Sequence, residues 1–214
     1  MNADSQYAAA NAARDALEDS GQALVSAIIS DSVLEHVPLV KLGVAAVATV
    51  MNFLDLLFEQ KLTKFLTALE EVPQEQRLEM ITKLETDPRY GRLAGQHIIE
   101  LLDRVDSHRK PSMIGAVFAA YARGTIGLDL FYRLNDAISR LPIIDIDAVR
   151  RFKEAYDGHY GIPTVQNVAI ETSFSIQELM NAGLAEVGSF ASGLGYSPNR
   201  TCEAFLSLNL DLLC

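Results

Sequence analysis

His97, Glu100 and Asp103 recur at intervals of three within the stretch AGQHIIELLDR. A histidine with carboxylates one helical turn away is a donor set for a divalent metal or for proton transfer. A di-metal carboxylate bundle needs Glu-x-x-His pairs on two facing helices plus further glutamates, and this chain offers one pair in the reverse order. His97 also falls on an apolar stripe with Leu93, Ala94, Ile98, Leu101, Leu102 and Val105, so a hydrogen-bonded core histidine is expected there. His36, His108 and His159 fall at predicted helix ends or in breaks, where capping and solvent account for them. Cys202 would need an adjacent base to act as a nucleophile, and no neighbouring residue supplies one. The run GSFASG at 188–193 lacks G-x-S-x-G spacing and falls in a predicted hairpin. Neither G-x-x-x-x-G-K-[ST] nor G-x-G-x-x-G occurs. No catalytic, cofactor-binding or metal-ligating residue is assigned, no cofactor is expected, and the chain is expected not to be an enzyme.

Charge narrows the partner classes. The 214 residues carry a formal net charge of −10. A phosphate backbone demands a basic surface, so nucleic acid is disfavoured as a partner. After Tyr160 the acids are Glu171, Glu178, Glu186, Glu203 and Asp211 and the only base is Arg200, a balance of −4. The basic cluster Arg150-Arg151-x-Lys153 sits beside Asp145, Asp147 and Glu154, which is the pattern of a solvated helix face. Glu178, Glu186, Arg200 and Glu203 are therefore the candidate interaction surface, facing a protein partner or a second copy of the chain.

The elements that would position these residues are mostly helical. Residues 4–19 are Ala-rich, and Gly21 is expected to end or kink that helix. Pro73 opens a helix with the stripe Leu78, Ile81 and Leu84, and Asp87-Pro88 reads as an N-cap followed by proline in a first turn. Ile114, Val117, Phe118 and Tyr121 form another stripe, closed by Gly124. Ile126, Leu130, Phe131, Leu134, Ile138 and Leu141 make the next, and Asp145 caps a helix carrying Ile146, Val149, Phe152 and Tyr156. Two glycines and a proline between Tyr156 and Pro163 mark a domain edge, which divides the chain into a helical bundle at 1–157 and a module at 164–214. In that module a helix stopped by Gly183, a hairpin turning at residues 191–193 and a last helix from Thr201 form a winged-helix-like order.

One segment stands apart. Residues 37–58, VPLVKLGVAAVATVMNFLDLLF, are nearly all apolar but carry Lys41 and Asp55. The uninterrupted run from Leu42 to Leu54 falls short of the roughly 18–20 residues a span requires. Val37, Leu42, Val47, Phe53 and Phe58 are thus expected on a core helix, central to the bundle, with membrane insertion only as a conditional event. The N-terminus has neither a basic region nor an apolar signal core, so cytoplasmic residence is the expectation. The only two cysteines, Cys202 and Cys214, are expected as reduced thiols.

Three blocks carry a resemblance: PLVK at 38–41, LFEQKLTKFL at 57–66, and KPSMIG at 110–115 followed by Phe118, Ala120, Tyr121, Gly124, Ile126 and FYRL at 131–134. In these the chain resembles a loosely defined group of uncharacterised bacterial and prophage proteins, over about residues 38–208. The resemblance implies a mobile-element or phage-defence setting and supplies no catalytic residue. The expected fold is mainly α: a multi-helix bundle around a central apolar helix, with a small C-terminal winged-helix-like α+β module. The expected function is a non-catalytic interaction or regulatory protein acting through protein–protein contacts. Two alternatives are a conditional membrane-perturbing effector using residues 37–58, and a winged-helix DNA-binding regulator acting as a dimer.

Overall fold

In the computed structural model, residues 3–34, 52–89, 93–158, 176–190 and 193–213 are described. The chain is mainly helical, with one two-stranded antiparallel sheet near the C-terminus. It divides into two units, Met1–Arg123 and Gly124–Cys214. The division falls upstream of the break read at Tyr156–Pro163, because the helices between them pack with the C-terminal elements.

The first unit holds α1 (Ala3–Ile29), α2 (Asn52–Glu70), α3 (Gln74–Thr86), α4 (Ala94–Arg104) and α5 (Lys110–Ala122). Its core is the stripe Leu62, Phe65, Leu66 and Leu69 of α2 against Met113, Ile114, Val117 and Phe118 of α5, all buried. Phe65 and Phe118 meet edge to face at 5.2 Å between ring centres, an arrangement aromatic quadrupoles favour. The helices come this close because Gly115 has no side chain: a Cβ there would stand 2.6 Å from the Phe65 carbonyl oxygen. Of the apolar segment 37–58, residues 37–51, with Val37, Leu42 and Val47, lie outside the described residues, as does the Phe53 side chain. Phe58 is half-buried and Leu57 exposed, and among the α2 side chains that are described the fully buried ones are Leu62, Phe65, Leu66 and Leu69. Among the described residues, no helix is long and apolar enough to cross a membrane.

Several expectations are corrected here. Helix α1 runs unbroken through Gly21, which packs against Gly95 of α4. A Cβ on Gly95 would fall 2.0 Å from the Gly21 carbonyl oxygen, so these two glycines permit a close helix crossing instead of ending a helix. Of the stripe expected on α3, Ile81 and Leu84 are buried but Leu78 is 50% exposed, and Arg77 and Met80 complete the buried face. Asp87 does not cap the following helix. It ends α3, and its carboxylate accepts from the Arg89 backbone N–H at 2.8 Å in an Asx turn. Gly124 does terminate α5, two residues past Ala122 with φ +70°.

The second unit holds α6 (Leu128–Arg140), a 3₁₀ turn (Ile143–Asp145), α7 (Ile146–Gly158), α8 (Ile176–Asn181), β1 (Ala185–Phe190), β2 (Gly193–Pro198), α9 (Arg200–Ser207) and a second 3₁₀ turn (Leu210–Leu212). The stripes of α6 and α7 are buried as the spacing requires: Phe131, Leu134, Ile138 and Leu141, then Ile146, Val149 and Phe152. Helix α9 adds Cys202 and Phe205. The hairpin register runs from Ala185 opposite Pro198 to Phe190 opposite Gly193.

Candidate interaction surface

Two backbone devices set the C-terminal module. Gly183, at φ +72°, closes α8 with paired bonds, Gly183 N–H to the Met180 carbonyl and Leu184 N–H to the Leu179 carbonyl. Asn199 then opens α9: its Oδ1 accepts from the N–H groups of Thr201 (3.0 Å) and Cys202 (3.1 Å). Its Nδ2 donates to the Gly183 carbonyl at 2.9 Å. One side chain thus joins the end of α8 to the start of α9 across the hairpin.

Onto this frame fall the candidate residues. Glu178 is half-exposed on α8, and Glu186 is exposed on β1 opposite Ser197. Arg200 and Glu203 are exposed in the first turn of α9. Glu203 shares a groove of about 530 Å³ with Arg150, Lys153, Glu154 and Asp157 of α7. The sequence groups Glu203 with Glu178 and Glu186; in the groove its neighbours are the mixed charges of α7, Arg150, Lys153, Glu154 and Asp157.

The basic cluster of α7 is not a free solvated face. Arg150 forks onto Asp211, with Nη2 donating to Oδ1 at 2.9 Å and Nε to Oδ2. This hydrogen-bonded carboxylate raises the guanidinium pKa. The Asp211 side chain is 2% exposed, so the pair anchors the last 3₁₀ turn to α7. Lys153 donates to both oxygens of Asp157, at 2.7 and 2.6 Å, which raises its pKa. Arg133 pairs with Asp129 and Arg140 with Asp136, at 2.9 and 3.0 Å. Four of the six cations in residues 124–214 are therefore held by carboxylates of the same unit. Among the described residues, Glu154, Glu178, Glu186 and Glu203 have no salt-bridge partner.

The residues singled out for chemistry are placed as follows. His97 is not a core histidine: its side chain is 40% exposed, and Nδ1 stands 3.5 Å from Glu100. The other Glu100 oxygen accepts from Gln96 at 3.2 Å. Among the described residues, no group of three or more His, Cys, Asp or Glu side chains is arranged to hold a metal ion. Cys202 is fully buried, and burial pushes its thiol up to about 12, with Glu203 and Asp211 adding to the rise against Lys153. It is a packed thiol and not a ready nucleophile. Ser189 is a strand residue paired with Leu194, far from a strand-to-helix elbow. His108 is exposed, while His36, His159 and Cys214 lie outside the described residues.

Sequence reasoning passed over the buried charges. Arg77 donates to the carbonyls of Ser30 (2.6 Å) and Leu69 (3.5 Å), meeting the C-terminal ends of α1 and α2 where carbonyls lack helical partners. Burial lowers its pKa, while Asp31 and Glu70 act in the opposite direction. Lys110 is 2% exposed and donates to Asp106 at 2.8 Å, a bond that lowers the Asp106 carboxyl. The four-residue spacing of Asp106 and Lys110 was a visible signal. Nothing local marks Arg77 or Asp211. No family model matches the chain, and neither a curated protein nor a solved structure matches it.

Proposed function

We propose that the chain is a non-catalytic interaction protein whose C-terminal unit docks a basic surface of a protein partner. The observation that carries this reading is the ion-pair pattern of residues 124–214. Arg133, Arg140, Arg150 and Lys153 are already engaged by carboxylates of the same unit. Among the described residues Glu154, Glu178, Glu186 and Glu203 form no salt bridge, although Glu154 acts on Arg150 and Glu203 on Lys153 at longer range. Such a surface steers cationic partners and repels both phosphate backbones and its own copies. The resemblance noted above adds a mobile-element or phage-defence setting to this proposal.

The test is affinity capture with the full chain against its Glu178→Lys, Glu186→Lys, Glu203→Lys variant, at about 0.15 M ionic strength. All three positions have exposed or half-exposed side chains, so unchanged circular dichroism is expected. The expected result is a basic protein held by the wild type and lost by the variant. A partner retained equally by both chains overturns the assignment of the surface.

A further inference from the structure

We draw no further inference here: the strongest candidate, the groove between α7 and α9 rimmed by Arg150, Lys153, Glu154, Asp157 and Glu203, belongs to the surface already described, and no unpartnered buried side chain among the described residues is shown pointing into it to say what covers it.

Discussion

Asn199 and Cys202 are three residues apart and show what a single position can do in this unit. Asn199 satisfies two of the N–H groups that a helix start leaves without partners, and its amide also reaches the Gly183 carbonyl. Asn199→Ala is expected to cost about 1–2 kcal/mol, read as a lower urea midpoint at unchanged slope. An unchanged midpoint would mean that the cap is replaceable by water. For Cys202 the sign of the pH effect follows from its burial. The unfolded thiol releases its proton near 9.0 and the folded one near 12, so above pH 9 the unfolded state holds fewer protons. Stability contributed by the protonated thiol is therefore lost as pH rises from about 9 upward. In a Cys214→Ser background, the urea midpoint should fall more steeply between about pH 9 and 11 than in the same chain carrying Cys202→Ala. Equal slopes would show that the thiol titrates alike in both states.

Between elements, close approach is decided by glycine and anchoring by buried charge. Gly21 and Gly95 let α1 and α4 cross with backbones nearly touching, and Gly115 does the same for α5 on α2. Filling such a crossing displaces backbone, which cannot rotate away as a side chain can. Gly95→Ala is expected to destabilise the chain by about 1–3 kcal/mol, or more if the crossing cannot widen, although alanine is the better helix former. Thermal unfolding followed by circular dichroism measures it. A raised Tm would mean that helix propensity outweighs the contact. Arg150 and Asp211 make a different kind of joint. The acid is buried while the guanidinium stays partly in water, so the pair fixes where the last turn sits more than it stabilises the fold.

Across the whole molecule, the acidic excess is distributed and not confined to one end. The net charge of −10 divides into −5 for residues 1–123 and −5 for residues 124–214. A winged-helix-like order invites a DNA-binding reading, yet phosphate contacts need free cations, and those of α6 and α7 are mostly engaged. Fluorescence titration of the full chain with labelled duplex DNA at low salt should show no saturable binding. Micromolar affinity that falls steeply as salt rises would reveal counterion release and replace the protein-partner reading with the regulator alternative.

Helical spacing alone placed the core faces of α6 and α7, because a stripe at three and four residues has one buried solution once the helix packs. Glycines in left-handed geometry, Gly124 and Gly183, were legible for a local reason: without a Cβ they enter that region at little cost. The hairpin and the short helix after it followed from turn-forming residues around 191–193 and 198–199. What the spacing could not decide was every feature whose partner lies far along the chain. Gly21 looks like a helix stop until Gly95 is set against it, and Asp87 like a cap until the next helix is found to begin at Ala94. Asp211 reads as one more surface acid until Arg150, 61 residues earlier, is brought to it. Local sequence determines propensity and periodicity, whereas burial and pairing are properties of two segments at once, and only the tertiary structure brings both together.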